Sequence, residues 1–211
     1  MFVGTKNDAR VKVSYEHKEL KRKMINYMSI GGDARVGLGF EKHRGSSRCM
    51  NTCCHCWEGF KKCCFTKTMR MDDIIVKVSK INEQAKDPKS DTVIVACKAQ
   101  ATVQDNFFVD NPASLLFSNI PSLMGGRSKP WASTKDKPLG ITTKGGAPQI
   151  KFADQDYGDG KLEISIFPSQ LSISLETLWG GNANRVAQDA GPFRIDFQNS
   201  TVYLRELLKI E

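Results

Sequence analysis

The sequence predicts a mostly-β domain, a β-sandwich-like core carrying one or two helices. Short β-branched or alternating runs recur along the chain, among them DDIIVKVS, DTVIVACKA, KLEISIF and FRIDF, each bounded by turn-forming residues. Only two stretches, SRCMNTCCHCWEGFKKCC and QLSISLETLW, read as helices. The length of 211 residues is enough for one domain, residues 1–211, to bury a core without disulfides.

The elements follow in order. Residues 9–16 (ARVKVSYE) have a partial period of two and read as a strand, followed by a basic turn at 18–23. Residues 24–40 (MINYMSIGGDARVGLGF) read as a strand, a Gly-Gly interruption and a further apolar stretch; the glycines suggest a bulge within the strand. Ser46 or Ser47 is placed to cap a helix running to about Cys64. Strands are expected at 72–79, 91–99 and 113–120, the last after the Asn111-Pro112 punctuation. Residues 125–147, rich in Gly, Pro, Lys and Ser, read as a long loop. A strand at 149–153, the turn DYGDG and a strand at 161–167 come next. A helix is expected from Gln170 to Trp179, with NANRVAQ able to resume it after Gly180-Gly181. Residues 193–197 and 201–204 are strand-like.

Charge is distributed unevenly. The chain holds 31 Lys+Arg against 23 Asp+Glu, a net charge of +8. Residues 1–70 carry +9 of it and residues 71–211 carry −1. Such asymmetry points to an anionic partner. The basic residues lack the aromatic interleaving of an RNA-binding sheet, so nucleic acid is not the expected partner. No run of 18 apolar residues predicts a transmembrane helix, and the first residues have no apolar core of a secretory signal. The expected location is the cytoplasm, with peripheral attachment to membranes left open.

Seven cysteines, an odd number, argue for free thiols in a reducing compartment. Six fall between Cys49 and Cys64. A zinc site would need a second ligand pair elsewhere, and the only distant cysteine is Cys97. Cys49, Cys53, Cys56, Phe60 and Cys63 instead recur at helical spacing, and the expectation is a buried, cysteine-lined helix face. A metal or redox role is the alternative.

No P-loop, dinucleotide fingerprint or nucleophile elbow is present. Two segments carry candidate chemistry. Asp154, Asp156 and Asp159 put three carboxylates beside glycines, a set of oxygen donors for a hard cation such as Mg²⁺ or simply an exposed acidic turn. Residues 118–131 (SNIPSLMGGRSKPW) offer a strand end, a Gly-Gly turn, two cations and an exposed aromatic, Trp131, suited to an anionic or amphiphilic ligand or to a plain surface loop.

An ordered set of motifs resembles the accessory domain of the eukaryotic diacylglycerol kinases, the second half of their catalytic region. NYMSIGGDARVGLGF (26–40) resembles that family's N-Y-x-S-x-G-x-D-A strand, and SRCMNTCCHCWEGFKK (47–62) its S-R-x-x-N-K helix. LFSNIPSLMGG (116–126) resembles L-N-I-P-S-x-x-G-G, DGKLEI (159–164) resembles D-G-x-L-E-V, and RVAQ (185–188) resembles an R-x-A-Q helix. The resemblance implies a β-sandwich of the diacylglycerol kinase/NAD kinase-like architecture. It also implies a nucleotide-binding kinase domain as partner, in cis or in trans, and transfer of the ATP γ-phosphoryl group to diacylglycerol. Residue by residue, it places Mg²⁺ on Asp156, Asp159 and Lys161. It places Asp33, Asn119, Ser122, Gly125 and Gly126 along the cleft that takes the lipid substrate, diacylglycerol or another acidic lipid.

Two departures qualify the implied activity. The family's G-G-D-G-T phosphate loop does not occur in the sequence, so ATP binding is expected only with a nucleotide-binding domain. The family's base, an Asp in V-D-G-E, maps to about residues 204–207, which read LREL. The Asp position falls on Arg205, and an arginine accepts no proton at neutral pH. Asp196 lies about nine residues too early to replace it. The expectation is therefore an accessory half, inactive alone, or a non-catalytic module for lipid, anionic membrane or a protein partner.

Overall fold

The computed structural model describes residues 2–5, 8–12, 23–24, 26–68, 70–84, 90–123, 126, 128–198 and 204–206. Strands β1 (Phe2–Thr5) and β2 (Asp8–Lys12) form a separate two-stranded hairpin. The body is a pair of five-stranded sheets. One sheet has the order β10-β9-β7-β3-β12, built from β3 (Tyr27–Gly31), β7 (Ser114–Ser118), β9 (Lys161–Phe167), β10 (Asn184–Ala190) and β12 (Leu204–Glu206), with every neighbour antiparallel. The other has the order β11-β4-β5-β6-β8: β11 (Phe193–Phe197), β4 (Ile75–Lys80), β5 (Thr92–Ala96), β6 (Phe107–Phe108) and β8 (Ile141–Thr142).

Alternation along the strands builds two cores. On β7, Leu115 and Phe117 point between the sheets, and Leu116 points away. The inter-sheet core joins Ile30, Leu115, Phe117, Ile164, Ile166 and Val186 of the first sheet to Ile75, Val78, Val95, Phe108 and Ile141 of the second. Tyr27, Leu116 and Phe167 line the opposite face, where they meet Ile173 of helix α3 (Gln170–Trp179). Burial on both faces explains why β7 reads as a continuous apolar run rather than an alternating one. The predicted mostly-β sandwich is observed, with a helical layer on one face.

That layer contains one helix that the sequence did not announce. Gly31-Gly32-Asp33 is not a bulge. Gly31 ends β3 at φ +97° and turns the chain into α1 (Gly32–Lys42). The local reason is steric: a Cβ on Gly31 would come within 2.6 Å of the Ala113 carbonyl oxygen. Helix α2 (Arg48–Cys64) starts after Ser47, as expected, but without a side-chain cap. Helix α3 is capped reciprocally by Ser169 and Ser172.

Three other expectations need correction. RVAQ does not resume a helix; it lies in β10, because Gly180 and Gly181, at φ +64° and +68°, end α3 and return the chain along β9. Residues 149–153 are irregular, and the Ala153 N–H pairs with a side chain rather than a strand. The cysteine face of α2 is not buried. Cys49, Cys53, Cys56 and Cys64 are exposed and Cys54 and Cys63 half-buried, leaving only Cys97 in the interior. The face of α2 that packs is the one carrying Glu58 and Gly59, against α1 and α3. The expected strand at 201–204 lies outside the described residues except for Leu204, which opens β12.

Gly31→Ala should destabilise the fold by about 2 kcal/mol or more, through left-handed backbone strain and contact with the Ala113 carbonyl. Urea unfolding measures this; a change under about 0.5 kcal/mol would contradict the reading of the β3–α1 junction.

Candidate functional site

Residues directly opposite one another on antiparallel strands share a face. In the first sheet Tyr27 lies opposite Ser118, Ser118 opposite Glu163, and Glu163 opposite Gln188. These four residues therefore form one cross-strand row. Each comes from, or directly adjoins, a different motif: the N-Y strand, the N-I-P-S segment, the D-G-K-L-E strand and R-V-A-Q. The sheet gathers one residue from or beside each of four motifs at one end of the domain although they are dispersed along the chain.

Glu163 is the centre of the row. Its carboxylate is 1% exposed. Gln155 Nε2 donates to it at 2.6 Å and Gln188 Nε2 at 3.1 Å. Burial pushes its pKa above the ordinary glutamate value, and the two amide donors pull back against that shift. Gln155 also donates to the Ile120 carbonyl at 3.0 Å, pinning the start of the N-I-P-S loop to β9. Gln188 Oε1 accepts the Ala153 N–H at 2.9 Å, and the Ala153 carbonyl accepts from Trp131 Nε1 at 3.1 Å. Arg185 donates twice to the Trp131 carbonyl, at 3.0 and 2.6 Å, and lies 4.5 Å from the Trp131 ring centroid. A second buried carboxylate, Glu176 on α3, accepts from Ser128 Oγ at 3.1 Å and from the Asn182 N–H at 2.6 Å. Residues 120, 128, 131 and 153–155 are thus fixed to the sheet and to α3 by buried polar groups.

The predicted site residues fall in three places. Asn119 continues from β7, its N–H bonded to the Asn26 carbonyl at 2.8 Å. Ser122 is half-buried and Gly126 exposed at φ +90°, its N–H bonded to the Leu123 carbonyl. Gly125 lies outside the described residues. Asp33 is elsewhere. It is buried in the first turn of α1, where the helix N-terminus favours a carboxylate. Because α1 follows the Gly31–Ser114 end of the strands and Asn119 follows the Tyr27–Ser118 end, roughly 13 Å of β7 separates them. The fold does not bring Asp33 together with the N-I-P-S segment.

Asp156, Asp159 and Lys161 form the turn into β9. Asp156 accepts the Gly158 N–H and Asp159 the Lys161 N–H, both at 2.8 Å, and Lys161 Nζ stands 3.7 Å from the other Asp159 oxygen. Among the described residues no group of three or more His, Cys, Asp or Glu side chains gathers as a metal cage. The hard oxygen donors of the turn fit a well-hydrated cation held by one or two carboxylates, which is how Mg²⁺ is commonly bound. Asp154, the third carboxylate of the sequence motif, is exposed and turned toward Lys135 Nζ at 3.5 Å.

Arg205, at the expected base position, lies on the edge strand β12 in register with Ser29. The next positions across the sheet are Leu116, Ser165 and Arg185. The hydroxyls of Ser29 and Ser165 are buried without a hydrogen-bond partner. Sequence reasoning missed Glu163, Gln155, Gln188 and Arg185, and the aromatic it expected to be exposed, Trp131, is buried because its ring packs on Arg185 and its Nε1 donates to the Ala153 carbonyl. The parity of Glu163 with Ser165 and Phe167 was visible, but its partners appear only once the strand register is known.

A family model, the diacylglycerol kinase accessory domain, matches residues 23–205. The chain belongs to the diacylglycerol kinase accessory domain family. No curated protein and no solved structure matches it.

Glu163→Gln places an amide donor among the Gln155 and Gln188 donors and should cost about 1–3 kcal/mol of stability. The raised folded pKa also sets a sign. Between the ordinary glutamate value and the raised one, the folded state holds the proton and the unfolded state does not, so this group's contribution to stability falls as pH rises through that window. The Gln variant should lack that slope in denaturant titrations across pH; an identical slope would contradict the assignment. Ser165→Ala, which removes an unpartnered buried hydroxyl, should be neutral or stabilising by up to about 1 kcal/mol; a loss of 2 kcal/mol or more would show a missed partner.

Proposed function

We propose that the chain is the lipid-substrate half of an ATP-dependent diacylglycerol kinase and works with a nucleotide-binding domain, in cis or in trans. The observation that carries this reading is the cross-strand row Tyr27–Ser118–Glu163–Gln188, which joins the family's dispersed motifs into one structural unit. In the reaction the free hydroxyl oxygen of diacylglycerol attacks the γ-phosphorus of ATP. The bond to the β–γ bridging oxygen breaks, ADP leaves, and the hydroxyl proton passes to a base. Phosphatidic acid is the product.

Each part of the domain has a place in this reading. The polar network around Glu163 holds the N-I-P-S loop in a fixed position, as a substrate-orienting surface requires. Mg²⁺ belongs at the Asp156–Lys161 turn, on Asp156, Asp159 and the Lys161 carbonyl, where it would fix the turn into β9. The ATP phosphates are held by the nucleotide-binding partner. Arg205 is always protonated and takes no proton from the acceptor hydroxyl, so the base also comes from outside the motif position.

The chain alone, with ATP, Mg²⁺ and radiolabelled diacylglycerol, should make no phosphatidic acid. Mixed with a diacylglycerol kinase nucleotide-binding domain that lacks its own accessory half, it should restore product formation. Turnover by the chain alone, or none with the added domain, would overturn the reading. Mg²⁺ should also raise the unfolding temperature of the wild-type chain and not that of Asp159→Ala; equal shifts would remove the cation from this turn.

A further inference from the structure

Helix α2 carries six of the seven cysteines, all of them free thiols. Cys49, Cys53 and Cys56 are exposed and follow one another at i, i+4 and i+7. Cys54 is half-buried, its Sγ 3.7 Å from the His43 carbonyl oxygen. Residues one turn apart on a helix share a face, with Cβ atoms about 5–6 Å apart, and each side chain leans toward the preceding turn. Cys53 therefore leans toward Cys49, and the two thiols meet. Cys49 pushes the Cys53 thiol up, first through charge and, after a smaller desolvation effect, through a thiol–thiol hydrogen bond; Cys56 and Cys54 add less. Cys63 and Cys64 are in contact as well, but they lie roughly 15 Å further along the helix and cannot share an ion with Cys53.

The geometry of the Cys49–Cys53 pair restricts what it can hold. Structural zinc and iron–sulfur sites take four ligands, and among the described residues no three His, Cys, Asp or Glu side chains gather as a cage. A disulfide needs Cβ atoms about 3.5–4.5 Å apart, closer than one helical turn sets them. Two sulfurs at the wider spacing suit a soft ion that takes two thiolates in a line, and thiolates select Cu⁺. The electrostatics fit. Each thiolate disfavours its neighbour, and a cation between them removes that repulsion. The resulting complex keeps one negative charge. Cys49 sits in the first turn of α2, where the helix N-terminus favours negative charge; that turn has no acidic residue, and Ser47 gives it no side-chain cap. Glu58, the one acidic residue of α2, is buried and paired with Lys61.

We propose that Cys49 and Cys53 form a two-coordinate site for Cu⁺ on the exposed face of α2. Binding exchanges protons for the ion: two S–H bonds break, two H⁺ pass to water, two S–Cu bonds form, and neither copper nor sulfur changes oxidation state. Cys56 shares the face but stands one turn beyond Cys53 and two beyond Cys49, so it is not a ligand of the same ion. No residue of the row around Glu163 takes part, and the site does not depend on the lipid-kinase reading.

Anaerobic titration of the full chain with Cu⁺ against bathocuproine disulfonate, followed by a count of reactive thiols, tests the proposal. The wild-type chain should take Cu⁺ from the chelator with the loss of two thiols per ion, and excess chelator should restore both. Cys49→Ser and Cys53→Ser should each weaken binding about a hundredfold or more, because a single sulfur cannot chelate. Cys56→Ser, and Cys63→Ser combined with Cys64→Ser, should bind as wild type at this site. Zn²⁺ should bind at least about a hundredfold more weakly than Cu⁺. A measurement on the unmutated chain gives the same answer independently: Cu⁺ should protect Cys49 and Cys53, and not Cys56, from iodoacetamide, read by peptide mass spectrometry. Affinity unchanged in Cys53→Ser, affinity lost with Cys56 rather than Cys49, equal binding of Zn²⁺, or no protection of the pair would overturn the site. So would a thiol loss that the chelator does not reverse, because that is oxidation and not metal binding.

Discussion

Glu163 is a carboxylate in the interior of a β-sheet, and the end of the domain around it is organised to keep it satisfied. A buried carboxylate without donors would cost several kcal/mol or hold its proton. Here the donors are two glutamine amides from different parts of the chain, Gln155 and Gln188, and each also holds a loop through a second bond. Satisfying one carboxylate therefore positions residues 119–120 and 153–155 together. Trp131 and Arg185 extend the same network into the loop beyond β7. The interior is apolar between the two sheets, and on the opposite face of the first one the buried polar groups around Glu163 adjoin a second apolar cluster of Tyr27, Leu116, Phe167 and Ile173.

The strands were legible because β-branched runs and turn residues mark them locally, and the two true helical periods were equally clear. Errors arose where a single local signal has two structural meanings. A Gly-Gly pair weakens a strand in either case; only the Ala113 carbonyl and Met71, packed against Gly31, make this one a strand-to-helix turn. RVAQ has no strong period of its own, and it becomes a strand because β9 is available beside it. The apolar face of α2 was identified correctly and its surroundings were not. Helical spacing shows that a stripe is apolar, but not whether anything covers it.

The candidate site was legible as a list of motifs, not as an arrangement. Motif order placed Asn119, Asp159 and Gln188 on the chain, and the register then put their neighbours in one row. Asp33 shows the limit of that approach. It belongs to the same motif as Tyr27 but lies at the other end of the strand, because β3 runs the length of the sheet before α1 begins. The basic first third acquires a structural meaning as well. Several of its cations line the groove between α1 and α2, around Glu58, instead of being spread over the surface.

A double-mutant cycle on Glu163→Gln and Gln188→Ala, read by urea unfolding, tests most directly whether the cross-strand row acts as one unit. Because each residue is the other's partner, the account predicts a coupling energy of about 1 kcal/mol or more. Additive effects, with coupling below about 0.3 kcal/mol, would mean that the row is a coincidence of register and would contradict the site built on it.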